Sequence, residues 1–144
     1  MIGYILTGHG NFSTGLKSAV DMIAGPQEAF EAVPFLEEEA GAYADTIRAA
    51  ITDMRAATDG VVVFVDLVGG TPFNQAMLVS SSVDNVKIVA GTNLPMLIDL
   101  MMARTDASTT DDLVSEAVEV GKEGVCTMAL PAGGSDDEDE DDEM

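Results

Sequence analysis

The stretch Val61-Val62-Val63-Phe64-Val65-Asp66-Leu67-Val68-Gly69-Gly70-Thr71-Pro72 decides the fold class. Its first five residues are apolar without alternation and rich in β-branched side chains, the pattern of a strand covered on both faces. A strand with one wet face would alternate apolar and polar residues instead. The run ends at Asp66, and Pro72 suits the start of a helix because it has no N–H to leave unpaired there. That helix is predicted to run to about Ser82. A covered strand feeding a helix through a glycine-rich turn is half of a parallel crossover unit.

On the amino side, residues 2–7 (IGYILT) form a short apolar run that ends in Gly8-His9-Gly10. Ser13 or Thr14 is expected to cap a helix at about 15–24, which Gly25-Pro26 stops. Ala29 to Phe35 reads as a second, weaker strand. From about 38 to 56, Ala40, Tyr43, Ala44, Ile47, Ala50, Ile51 and Met54 make the stripe of an amphipathic helix. On the carboxyl side, Val86 to Ala90 is a fourth strand closed by Gly91-Thr92-Asn93. Leu94 to Arg104 is a helix with Leu94, Leu97, Ile98 and Met101 on one side, and its methionines read as core filler. A last helix, capped near Thr110 or Asp111, runs to about Lys122, and Gly124 precedes a short strand from Val125 to Leu130. No internal repeat is visible. The βαβαβαβααβ order predicts an α/β fold with an open, mostly parallel, doubly wound sheet and helices on both faces.

Residues 1–133 make one domain, with enough apolar residues (47% of the chain) to bury a core. Gly133-Gly134 opens an acidic segment, 134–144, whose composition predicts disorder. The formal charge is −20, and Asp136 to Glu143 carries eight of those negative charges, leaving −12 elsewhere. Such a chain repels phosphate backbones and anionic membranes, so nucleic acid is excluded as a partner and a basic protein is favoured. The lone Cys126 lies in an apolar stretch and is expected to be buried and inert. MIGYILTGHG has no basic stretch, and no apolar run reaches the length of a membrane span. The expected location is the cytoplasm.

In open parallel sheets, ligands gather at the carboxyl ends of the strands near the point where strand order reverses. Three loops so placed carry unusual residues: Thr7-Gly8-His9-Gly10, Asp66 through Thr71, and Gly91-Thr92-Asn93. The first and third strands are expected neighbours, which would bring His9 and Asp66 together. A carboxylate on Nδ1–H fixes the tautomer and leaves the Nε2 lone pair free as a nucleophile at neutral pH. It also stabilises positive charge on the ring once Nε2 is bonded to phosphorus. Glycines 8 and 10 let another surface approach, and Gly69-Gly70-Thr71 offers N–H groups, a helix N-terminus and a hydroxyl for phosphoryl oxygens without a metal. Bland alternatives stand beside these. His9 is equally an ordinary loop histidine, Asp66 a turn or cap residue, and Gly-Gly-Thr-Pro a tight connection.

Other chemistries fit less well. There is no GxxxxGK[ST] loop for direct ATP use. One histidine and one cysteine cannot build the usual zinc site, so no metal and no cofactor is expected. A receiver-type acceptor aspartate would need an acidic pair after strand one, where Gly-His-Gly stands. A flavin site would want aromatic plates, and the chain has no Trp and two Tyr.

Three motifs together resemble the enzyme IIA domain of the mannose family of the bacterial phosphoenolpyruvate-dependent sugar phosphotransferase system. They are Thr7-Gly8-His9-Gly10 with Gly15-Leu16, Asp66 through Asn74, and Ala90-Gly91-Thr92-Asn93-Leu94-Pro95-Met96-Leu97. The likeness covers residues 1–131. It implies that His9 accepts a phosphoryl group on Nε2 from the phosphocarrier protein HPr and passes it to an enzyme IIB, so that the membrane enzymes IIC and IID are served indirectly. Asp66 would orient the ring. Thr71 stands where the family often has serine and is carried over as a phosphate contact; Gly70 and Gly8 are expected to contact the phosphoryl group as well. The resemblance also implies a homodimer in which the last strand, antiparallel, crosses to the partner. The acidic tail departs from the family pattern. Lys17 and Arg104 are the only cations expected near the site, so the partner is expected to supply positive charge. The alternatives are the phosphocarrier subunit of a dihydroxyacetone kinase, where His-Ser usually replaces His-Gly, and a non-catalytic regulatory module of the same fold.

Overall fold

The computed structural model describes residues 1–132. Four strands, β1 (Gly3–His9), β2 (Phe30–Phe35), β3 (Val61–Val65) and β4 (Val86–Val89), form one sheet in the order β2-β1-β3-β4. All three pairings are parallel. The helices are α1 (Phe12–Ala24), α2 (Ala40–Ala57), α3 (Gly70–Ser80), α4 (Leu94–Ala103) and α5 (Thr110–Glu123), with a short 3₁₀ turn at Glu37–Glu39 before α2. The chain leaves β1 toward β2 on one side and continues from β3 to β4 on the other. Strand order therefore reverses between β1 and β3, where a crevice opens at the carboxyl ends.

The unalternating apolar run of β3 is explained by two cores. Val62 and Phe64 join Tyr4, Leu6, Leu97, Leu100 and Leu113 on the face covered by α1, α4 and α5. Val61, Val63 and Val65 join Ile5, Ile47, Ile51 and Val79 under α2 and α3. Each fully buried side chain of this kind contributes about 1.5–3 kcal/mol, so both faces of the central strands anchor the fold. No helix among the described residues is long and apolar enough to cross a membrane.

Several expectations are corrected. Neither Ser13 nor Thr14 caps α1: Gly10 turns the chain at φ +55, the helix starts at Phe12, and Ser13 is buried with its hydroxyl unpaired. The cap of α5 is Thr109, which accepts from the Asp112 N–H, while the Thr110 hydroxyl is taken by Asn85. Helix α3 begins two residues before Pro72. Val125–Leu130 forms no strand among the described residues; Val125, Met128 and Leu130 are 79%, 87% and 94% exposed, and Cys126 is exposed rather than buried. A strand exists only against a partner strand, and this segment meets no sheet edge of its own chain. The expected acidic tail lies outside the described residues.

Candidate functional site

Strand β1 ends at His9 and β3 at Val65, and their register pairs Thr7 with Val65. The next residue after β3 is Asp66, so its carboxyl group comes up beside the end of β1. Asp66 Oδ2 accepts from the backbone N–H of His9 at 2.9 Å and contacts the ring Nδ1 at 2.7 Å, while Oδ1 accepts from the Leu67 N–H at 2.9 Å. Burial would push the carboxyl pKa up, but the His9 N–H groups and the Leu67 N–H outweigh it and hold the group below its ordinary value. Asp66 is then an acceptor only at neutral pH, so Nδ1 carries the proton of the neutral ring. The lone pair is left on Nε2. The His9 side chain is 48% exposed and that of Asp66 12%, so the ring is reachable and its carboxylate is shielded.

The glycines around the pair are places where a side chain would not fit. A Cβ on Gly70 would lie 3.0 Å from His9 Cε1 and 3.2 Å from Nε2, and Gly70 sits at φ +81. The bare backbone at the start of α3 therefore borders Nε2, and the first-turn N–H groups of Gly70 and Thr71 have no acceptor within their own helix. A Cβ on Gly8 would lie 2.7 Å from Phe12 and 3.0 Å from two carbons of Asp66. Gly8 thus lets the Asp66 side chain lie across the end of β1. Thr71 is exposed in the first turn of α3 and takes no part in the His9–Asp66 hydrogen bonds.

The third loop supports the fold. Thr92 is buried and donates its hydroxyl to Val65 O at 2.8 Å. Asn93 caps α4 through the Met96 N–H and donates to Gly121 O of α5. Lys17 and Arg104 are not at the site, contrary to expectation. Lys17 pairs with Asp21 and lies over the ring of Phe30, the first residue of β2, whereas His9 is opposite Phe35 at that strand's other end. Five residues of strand separate those positions by about 16 Å. Arg104 is buried, donates to the carbonyls of Ile2, Glu28 and Ala29, and stacks on Tyr4. Its guanidinium closes the amino end of the sheet.

Two residues beside His9 escape a sequence reading. Phe35 lies edge-on to the imidazole, with ring centroids 5.7 Å apart and planes at 75°, and Tyr43 lies 4.8 Å behind Phe35 at 60°. The signal that would have found Phe35 is register: it ends β2 opposite the residue that ends β1.

Residues 3–118 match the model of the family described as PTS system fructose IIA component. The chain is 34% identical over 125 residues to the mannose-specific EIIAB component of the Escherichia coli phosphotransferase system. That alignment covers 86% of the chain but only 38% of the longer relative. It is 32% identical over 112 residues to the fructose-specific EIIA component of Bacillus subtilis, covering 77% of the chain and 76% of the relative. Among solved structures it resembles phosphotransferase system component EIIA from Streptococcus agalactiae, with a TM-score of 0.78 at 32% identity over 88% of this chain and 97% of that one.

Proposed function

Because the chain belongs to the family of PTS system fructose IIA components, we propose that it is a phosphoryl carrier in phosphoenolpyruvate-dependent sugar uptake, with His9 as the acceptor. The observation that carries this reading is the 2.7 Å contact between His9 Nδ1 and Asp66 Oδ2 on a half-exposed ring. The Nε2 lone pair attacks the phosphorus of a phosphohistidine on HPr. The N–P bond to the donor breaks, and its electron pair returns to the donor nitrogen. The proton stays on His9 Nδ1, where the Asp66 carboxylate balances the charge that the phosphorylated ring acquires. The reverse geometry then delivers the phosphoryl group to an imidazole or thiolate nucleophile of enzyme IIB. In-line transfer of this kind relies on positioning and charge neutralisation rather than on further covalent steps.

The N–H groups of Gly70 and Thr71, the Thr71 hydroxyl and the positive end of α3 are suited to the phosphoryl oxygens. Gly8 serves by letting Asp66 approach. On this reading the protein is a phosphotransferase with a phosphohistidine intermediate and works in the cytoplasm between HPr and enzyme IIB. The membrane enzymes IIC and IID receive its phosphoryl groups indirectly. The proposal extends to a homodimer in which Val125–Leu130 crosses to a second copy; the exposure of Val125, Met128 and Leu130 supports it. On this reading residues 1–133 form the working domain, and the acidic tail, 134–144, adds no chemistry to it.

The test is incubation with phosphoenolpyruvate, enzyme I and HPr, comparing wild type with His9→Ala. Acid-labile phosphate on wild type alone is expected. Label that persists on His9→Ala would overturn the assignment.

A further inference from the structure

A half-exposed imidazole held through one nitrogen retains freedom to rock about that bond. Asp66 secures Nδ1 and Gly70 borders Nε2, but neither limits tilt of the ring plane on the side facing β2. Phe35 does. Its backbone is opposite His9 in the β1–β2 register, its carbonyl accepts from the Gly10 N–H at 2.8 Å, and its ring meets the imidazole nearly at right angles. Edge-to-face aromatic contacts of this separation are directional, because the ring edge and face carry opposite partial charge.

Phe35 is itself braced from below. Tyr43 of α2 is buried and lies edge-on to Phe35 at 4.8 Å. The Thr7 hydroxyl donates its single proton to Val33 O at 2.6 Å, so the 2.6 Å contact between Thr7 Oγ1 and Tyr43 must use the phenol proton. The order of donation is Tyr43 to Thr7 to the β2 backbone, and every group in it is satisfied. Burial pushes the Tyr43 phenol up to about 12, so this proton stays in place across the neutral range. The brace thus ties α2, β1 and β2 to one ring beneath His9.

We propose that Phe35, braced by Tyr43, is a positioning residue for phosphoryl transfer: it holds the imidazole plane in line with Asp66 so that Nε2 stays aimed at the donor. The inference rests on His9 being the acceptor. It belongs to the geometry of the ring, not to the docking of a partner.

His9 is the only histidine in the chain, so its side-chain ¹⁵N signals are read without ambiguity. Phe35→Leu keeps an apolar side chain and removes the flat ring, whereas Phe35→Tyr keeps the ring. In wild type the ¹⁵N shifts should report proton on Nδ1 once the ring is neutral. In Phe35→Leu they should move toward an average of both tautomers. The maximal rate of labelling from phosphorylated HPr should fall about tenfold, the scale of one aromatic pair contact, with the KM for HPr unchanged. Phe35→Tyr should restore both. A Phe35→Leu protein with wild-type ¹⁵N shifts and maximal rate overturns the proposal, as does a loss confined to KM, which would make Phe35 a docking contact. If Phe35→Leu does not fold, Phe35→Met carries the same two readouts. If wild type itself takes no label, the carrier reading fails, and the ¹⁵N comparison still decides whether Phe35 holds the ring.

Discussion

Asp66 Oδ2 accepts two hydrogen bonds from one residue, the backbone and ring N–H groups of His9, and this ties the tautomer of the ring to the path of the main chain. Removing the carboxylate in Asp66→Ala should slow labelling by about 10- to 100-fold, the range for losing a carboxylate that orients a functional histidine, without moving the label from His9. The same pair links stability to pH. The folded-state pKa of Asp66 lies below its unfolded value, so its stabilisation is complete above the ordinary carboxylate pKa of about 3.9 and is lost as pH falls through the folded value. Asp66→Asn should therefore be less stable than wild type at pH 7, and the gap in denaturant midpoint should close in acid. A constant gap would detach Asp66 from that linkage. At Gly70 the backbone is at φ +81 and a Cβ would press on Cε1 and Nε2. Gly70→Ala should lose about 1–2 kcal/mol of stability through backbone strain and lose labelling at Nε2 far more than that stability loss explains. His9 and Asp66 were legible because each stands at the end of an apolar run, where chain pattern alone marks a strand's carboxyl end. Phe35 was not, because an aromatic residue at the end of a weak strand reads the same whether it fills the core or flanks an imidazole.

Among the elements, the strands were the most legible and the caps the least. β3 lies where its apolar run predicted, since a run covered on both faces has no competing helical reading at that length. At the start of α5, Thr109, Thr110 and Asp111 are all chemically competent caps; the choice falls to Thr109 because Asn85, distant in sequence, engages the Thr110 hydroxyl. Arg104 shows the same limit. It follows α4 and was expected near the chemistry, yet it serves three carbonyls at the amino end of the sheet. Arg104→Ala should destabilise the fold by about 3 kcal/mol, since charged hydrogen bonds to buried carbonyls are lost together, while labelling per folded molecule stays at the wild-type rate. A labelling defect in fully folded Arg104→Ala would return the residue to the site. Val125–Leu130 has the composition of a strand but pairs with neither edge strand of its own chain, so its composition marks a strand only if a second copy supplies the partner.

Over the whole molecule, charge dominates. The chain carries −20, and Glu37, Glu38 and Glu39 follow Phe35 at the end of the sheet where His9 lies. With Lys17 and Arg104 engaged near the opposite end, the proposed transfer would draw its positive charge from the donor. Labelling by HPr should slow by about tenfold or more between 0.05 and 0.5 M salt as screening weakens the attraction of opposite surfaces; a salt-independent rate would count against that division of charge. The sequence by itself determined the α/β class, the parallel character of the sheet and the strand-end positions of His9 and Asp66, because these follow from the local order of apolar, glycine and polar residues. Only the tertiary structure decided that β1 lies against β3, that Phe35 and Gly70 close on the imidazole, and that the two candidate cations lie far from it. Those facts depend on strand adjacency and register, which are set by packing both cores at once and leave no trace in any single stretch of chain.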